Sequence, residues 1–199
     1  MSPLFERVSV LFEQTHHVGL KGLHDDGRFI PERVRPAAVL IAVTDRSEPG
    51  VILTHRPKTM ASHPGQVAFP GGKLEAGETP IEAALREAEE ELSITPSHVS
   101  VVGEAARFAT GSGYEVTPVL GVVPSDLPIV PDPREVDSWF EAPLRFVLDP
   151  ANHEHKVGLF RGHQRPYIEI NWNGHRIWGI TAGILSNLSH RLAFQDLLP

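Results

Sequence analysis

The 199-residue chain contains no cysteine, which rules out disulfides, thiolate metal sites and a cysteine nucleophile. It has no surplus of basic charge: the formal net charge is −7, so a general nucleic-acid binder, which must neutralise many phosphates, is excluded. Long apolar runs are missing too. Residues 39–43 and 119–123 are only of strand length, far short of a membrane-spanning helix. The opening Met1-Ser2-Pro3-Leu4-Phe5-Glu6-Arg7 lacks the basic and apolar regions of a secretion signal, and Leu197-Leu198-Pro199 is not a peroxisomal tripeptide. A cytoplasmic protein with neither nucleic-acid nor membrane partners is expected. A hydrophobic content of 41% and a charged content of 22% are ordinary for a globular protein. The length suits a single domain over 1–199, with an N-terminal helix and lead-in at 1–34 and a core at 35–199.

Periodicity supplies the elements. Leu4, Val8, Leu11 and Phe12 recur at helical spacing after Ser2-Pro3, predicting a short helix. Residues 37–43 and 51–54 flank the turn Arg46-Ser47-Glu48-Pro49-Gly50 and predict a hairpin, and 57–72 reads as a proline- and glycine-rich segment. A helix is expected over 79–92, followed by strands at 99–108 and 114–123 around the turn Thr110-Gly111-Ser112-Gly113. A proline-rich loop covers 124–133. Further strands are expected at 136–141 and 167–172, the latter turning at Asn173-Gly174, with a closing helix over 180–197. Strands and helices mix irregularly, so the fold class is α+β, a mixed sheet flanked by helices.

The acid is concentrated. Between Gly72 and Ile94 lie Glu75, Glu78, Glu82, Glu87, Glu89, Glu90 and Glu91 against Lys73 and Arg86. Thr79 suits the N-cap of the helix, Pro80 its first position and Glu82 the acid of a capping box. Ile81, Ala84, Leu85, Ala88 and Leu92 form an apolar stripe. At about 100° per residue, Glu87 and Glu91 lie within ~40° of each other with Glu90 alongside, roughly opposite that stripe, and Ala83 one turn earlier leaves room for an approaching group. Like charges so spaced destabilise a helix unless a cation binds, and hard carboxylate oxygens suit Mg²⁺ or Mn²⁺ bridging to phosphate. Arg86 can brace a neighbouring carboxylate, and Gly71-Gly72 lets backbone approach an ion or phosphate closely.

The order of these parts, Gly72, five residues, Glu78, seven residues, Arg86-Glu87-Ala88, one residue, Glu90-Glu91, then Leu92-Ser93-Ile94, resembles the Nudix box G-x5-E-x7-R-E-U-x-E-E-x-G-U. Ser93 replaces the last glycine, and Ala88 stands for the bulky aliphatic U. The resemblance implies a Nudix fold with an α/β/α sandwich-like arrangement and a loop–helix–loop box. It also implies hydrolysis of a nucleoside diphosphate linkage with Mg²⁺ or Mn²⁺ as cofactor. By position it makes Glu87, Glu90, Glu91 and Arg86 catalytic, with Glu87, Glu91 and Glu90 as metal ligands and Glu78 as an outer or additional ligand.

The preceding stretch, Leu53-Thr54-His55-Arg56-Pro57-Lys58 through Gly65 to Phe69-Pro70-Gly71-Gly72, is similar to the signature L-L-T-x-R-[SA]-x3-R-x3-G-x3-F-P-G-G of coenzyme A pyrophosphatases. Arg35-Pro36-Ala37-Ala38, Ser112-Gly113-Tyr114-Glu115-Val116-Thr117-Pro118 and Ile177-Trp178-Gly179-Ile180-Thr181-Ala182-Gly183 extend the similarity across roughly residues 35–190. Pro57 replaces the Ser or Ala, and Ala61 replaces the second arginine, a group suited to contacting phosphate. The resemblance implies cleavage of coenzyme A or acyl-coenzyme A to 3′,5′-ADP and 4′-phosphopantetheine. Arg56, Gly71, Gly72, Lys58 and His63 become the substrate-binding candidates. A diphosphatase of ADP-ribose, NADH or a related dinucleotide, or a non-catalytic nucleotide-binding module, is the alternative, and a homodimer stays open. The eleven histidines lack zinc-ligand spacing and read as loop residues, while Trp172 and Trp178 read as core. Tyr114 and Glu115 follow a turn that could reach the site.

Overall fold

The apolar run of the first strand is continuous because both of its faces are covered. In the computed structural model, which describes residues 2–15, 34–60, 63–160 and 162–191, this strand is β1 (Arg35–Asp45). Ala38, Leu40 and Ala42 point to one buried cluster, and Ala37, Ile41 and Val43 to another on the opposite face. A helix α1 (Pro3–Thr15) packs Leu4, Val8 and Phe12 into the second cluster, as its spacing predicts.

β1 is the axis of a mixed sheet. Along one edge it pairs in parallel with β7 (Tyr114–Pro124), in register from Arg35↔Tyr114 to Asp45↔Pro124. Its other edge is shared. β2 (Gly50–His55) takes the hairpin end at Val43↔Val51, and β4 (Gly71–Lys73) takes Ala37, Ala38 and Val39. β2 also carries the short β3 (Val67–Ala68) and β8 (Ser138–Pro143), and β5 (Ser100–Glu104) and β6 (Phe108–Ala109) both pair antiparallel with β7. A separate sheet of β9 (Glu154–Phe160), β10 (His163–Trp172) and β11 (His175–Trp178) lies with α3 (Leu144–Leu148) and α4 (Ile180–Arg191) on the α1 side. The expected α+β class, a mixed sheet between helices, is the observed one.

Several boundaries moved for identifiable reasons. The single strand expected over 99–108 is broken into β5 and β6, between which the register against β7 shifts by one residue, from Glu104↔Val119 to Phe108↔Val116. β8 begins at Ser138 rather than 136, with Val136 buried in the cluster of Ala38, Leu40 and Ala42 and the Asp137 amide bonded to the His55 carbonyl. β9 was not anticipated at all. His153, read as a loop histidine, is buried with a ring nitrogen 2.8 Å from the Val147 carbonyl oxygen. Trp172 packs against the core, whereas Trp178 lies under the Arg176 guanidinium, 4.8 Å from its ring centre. The closing helix is described to Arg191, and residues 192–199 of that expectation lie outside the described residues.

The helix that carries the acidic residues is α2 (Pro80–Leu92), and its start follows from side-chain chemistry. Thr79 Oγ1 accepts from the Glu82 amide while the Glu82 carboxylate accepts from the Thr79 amide at 2.8 Å, forming the capping box. Ala84, Ala88 and Leu92 seat the helix on Ala38, Leu40 and Val119 of the sheet. Replacing the cap removes one of these bonds and leaves an orphan amide. Thr79→Ala is therefore expected to cost about 1 kcal/mol, lowering the thermal midpoint by roughly 2–4 °C in a calorimetric or circular-dichroism melt.

Candidate active site

The carboxylates on and around α2 form two groups that share Glu87. Arg86 gathers the outer group: its Nε donates to Glu78 Oε1 at 2.7 Å and an Nη to Glu78 Oε2 at 3.1 Å, a bidentate pair. Its other Nη donates to Glu87 Oε1 at 3.0 Å and Glu90 Oε2 at 2.9 Å, and the Lys73 carbonyl accepts a further bond at 3.0 Å. Glu78 is held below the usual carboxylate range, first by the Arg86 hydrogen bond and then by the Glu75 amide. The guanidinium is pushed up in turn, mainly by Glu78.

The inner group is Glu87, Glu91 and Glu135, whose ligand oxygens lie within 4.8 Å of one another. Glu91 is only 5% exposed, so the carboxylate row does not stand opposite the apolar stripe. It runs beside the stripe and faces the chain at β4. Ala83 likewise opens no space, being fully buried in the α2–sheet core. Gly71 and Gly72 make this packing possible. A Cβ on Gly72 would overlap the Glu87 carboxylate, and one on Gly71, whose φ is 155°, would overlap the Ala38 carbonyl and Val39. The Gly71 amide donates to Glu91 Oε2 at 3.3 Å.

Burial, and then the Glu87 charge, push the Glu91 carboxyl up to about 8, against the Gly71 bond and the Arg56 charge. Glu87 is raised as well, chiefly by burial, despite Arg86. Three hard oxygen donors gathered this closely are suited to a divalent cation such as Mg²⁺ or Mn²⁺. Glu90, by contrast, is exposed and turned to Arg86, and Glu78 lies on the far side of the same guanidinium.

Glu135 was missed by sequence reading, because its segment carries no pattern of its own. Its position comes from the end of α2. The Val130 amide bonds the Leu92 carbonyl at 3.0 Å and the Asp132 amide bonds the Glu91 carbonyl at 2.9 Å, after which the Glu135 amide turns back on the Asp132 carbonyl.

Of the substrate-binding candidates, Arg56 lies at the base of a loop closed by its amide on the Gln66 carbonyl and by the Gly65 amide on its own carbonyl. The Arg56 Nε is buried and makes no hydrogen bond, while the Arg56 charge reaches Glu91. Lys58 and His63 are exposed further along that loop, and Ala61 lies outside the described residues. Tyr114 is engaged by Arg35, 4.2 Å from its ring centre, and Glu115 by Arg107 at 3.3 Å, so neither is in the carboxylate cluster.

Glu91 gives the metal-free protein a definite pH dependence. Its folded-state pKa is raised, so its contribution is fully present below the unfolded value near 4.5 and is lost as pH rises towards about 8. Glu91→Gln in the presence of a chelator is expected to raise the melting temperature at pH 8 and to change it little at pH 5. Equal shifts at both pH values would contradict the assignment.

A model of the NUDIX domain matches residues 34–161 of this chain. The chain is 43% identical to the Escherichia fergusonii protein named "Uncharacterized Nudix hydrolase NudL" over 163 residues, 81% of this chain and 84% of that one. Its identity to the Escherichia coli K12 protein of the same name is 41% over 163 residues, with the same coverage. Among solved structures, the Nudix hydrolase RenU of M. smegmatis superposes with a TM-score of 0.54 at 21% identity, covering 81% of this chain and 86% of that one, a likeness of fold. Together with the helix-borne carboxylates braced by Arg86, these matches show that the chain belongs to the Nudix hydrolase family, enzymes that hydrolyse nucleoside diphosphate derivatives.

Proposed function

We propose that the protein cleaves the diphosphate linkage of coenzyme A or an acyl-coenzyme A, giving 3′,5′-ADP and the corresponding 4′-phosphopantetheine. The observation that carries the reading is the convergence of Glu87, Glu91 and Glu135 beside an arginine, Arg56, whose buried Nε has no hydrogen-bond partner. Glu87, Glu91 and Glu135 would hold Mg²⁺ or Mn²⁺, with Glu78 and Glu90, both paired with Arg86, as additional ligands. Bound there, such an ion would supply charge neutralisation at the phosphoryl group and a lowered pKa for the attacking water. Arg56 meets the diphosphate from the loop side, and Gly71 and Gly72, lacking side chains, let the Glu87 and Glu91 carboxylates lie against the chain there. Arg86 orients Glu87 and Glu90 and holds the box closed through Glu78 and the Lys73 carbonyl. Lys58 and His63 complete a basic loop for the further phosphates of the substrate.

The choice of coenzyme A rests on the match of Leu53, Thr54, Arg56, Gly65 and Phe69 through Gly72 to the coenzyme A pyrophosphatase signature. The test is to incubate the protein with coenzyme A, ADP-ribose and NADH separately, with Mg²⁺ or Mn²⁺, and to identify the products. Release of 3′,5′-ADP from coenzyme A is expected. Turnover of ADP-ribose or NADH with none from coenzyme A would assign the other substrate class. No turnover of any of them, with metal binding unchanged in Glu91→Gln, would leave a binding module. Ala61→Arg, which restores the signature, is expected to lower KM for coenzyme A about tenfold through one charge-assisted bond; an unchanged KM would place the phosphate contact elsewhere.

A further inference from the structure

The Nudix box pattern calls for glycine near the end of α2, and this chain has Ser93 there. The backbone explains the glycine: Ser93 has φ 59° and ψ 27°, the left-handed conformation that ends the helix, with its amide bonding the Glu89 carbonyl at 2.9 Å. A serine accepts that conformation less readily than glycine does. What it adds is a donor. Ser93 Oγ donates to the Val130 carbonyl oxygen at 3.1 Å.

That bond falls beside the two backbone bonds joining the same loop to the helix, Val130 to Leu92 and Asp132 to Glu91. Three consecutive attachments thus fasten residues 130–132 to the last turn of α2. Beyond them the chain makes a tight turn, with the Glu135 and Val136 amides on the Asp132 carbonyl at 3.0 and 2.9 Å and the Arg134 guanidinium on the Asp132 carboxylate. The turn delivers the Glu135 carboxylate to Glu87 and Glu91. With glycine at 93 the helix end would be kept, and the Val130 carbonyl would lose this side-chain partner.

We propose that Ser93 is a positioning residue: its hydroxyl clamps the 130–135 loop to the end of α2 and thereby sets where Glu135 stands relative to Glu87 and Glu91. This rests on the reading of those carboxylates as the cation site. Ser93→Gly separates positioning from helix termination, because glycine suits the backbone and lacks the donor. In metal-free protein, amide exchange at Val130 and Asp132 is expected to accelerate by about threefold to tenfold, as for one lost hydrogen bond, while the melting temperature stays within a degree or two. The Mn²⁺ dissociation constant, read by electron paramagnetic resonance or calorimetry, is expected to rise about threefold. In a Glu135→Gln background the same substitution is expected to leave Mn²⁺ affinity unchanged, since the clamp acts through that carboxylate. Unchanged exchange in Ser93→Gly overturns the clamp, and so does an equal loss of Mn²⁺ affinity with and without Glu135. If the unaltered protein binds no Mn²⁺, the cation-site reading fails, while the exchange measurement still decides the clamp.

Discussion

The guanidinium of Arg86 is the contact on which the box depends. It spans Glu78 in the loop before α2, Glu87 and Glu90 on the helix, and the Lys73 carbonyl at the end of β4. Without a cation at this point the acidic side chains of α2 would repel one another at helical spacings, and the loop bearing Glu78 would lose its tie to the middle of the helix. One planar group with a fixed fork of donors satisfies these partners together, which a lysine could not do. Its reach is also limited. It touches Glu87 with one bond and Glu91 not at all, so Glu78 is drawn down while Glu91 is driven up. The arginine thus neutralises the rim of the site and leaves its interior in need of positive charge.

That interior is built by backbone as much as by side chains. β4 lies against residues 37–39 of β1, and the Leu40 amide bonds the Pro70 carbonyl, so the segment bearing Gly71 and Gly72 is fixed by the central strand of the sheet. β1 is itself locked along its length to β7. Because neither glycine carries a side chain, α2 can settle close enough for the Glu87 and Glu91 carboxylates to rest on the chain. The path from sheet register to carboxylate position is therefore short and stiff. It passes through Pro70, Gly71 and Gly72.

Much of this could be read from the sequence where the signal is local. The apolar run of β1, the Thr79–Glu82 box and the spacing of Gly72, Glu78, Arg86, Glu87, Glu90 and Glu91 each express a nearest-neighbour or one-turn requirement. The failures share a different cause. A helical wheel assigns glutamates to solvent, yet Glu91 is buried because Gly71 and Gly72 come from another segment to cover it. Glu135 lies in a loop without periodicity, and only its stitching to the end of α2 reveals it. β9 escaped notice because its residues mix charge with exposed apolar side chains such as Val157 and Leu159. Pairing with β10, and not its own composition, makes it a strand.

The same contrast bears on how a pattern is to be weighed when one position departs from it. At Ser93 the pattern encodes a backbone conformation, and the substituted residue keeps that conformation while gaining a bond to Val130. At Glu91 it encodes a charge in a place that resists charge, where burial and Glu87 both favour the neutral acid. If these carboxylates hold a cation, as proposed, a proton and the cation would compete for the same oxygen. On the reading of Glu87, Glu91 and Glu135 as a cation site, an ion would offset their mutual repulsion by supplying positive charge. The folded chain holds the carboxylates together through Gly72, Arg86 and the loop at the end of α2, so free energy spent against their repulsion would be regained on binding a cation. A helix that faced its glutamates to water would relax them apart and forfeit that gain.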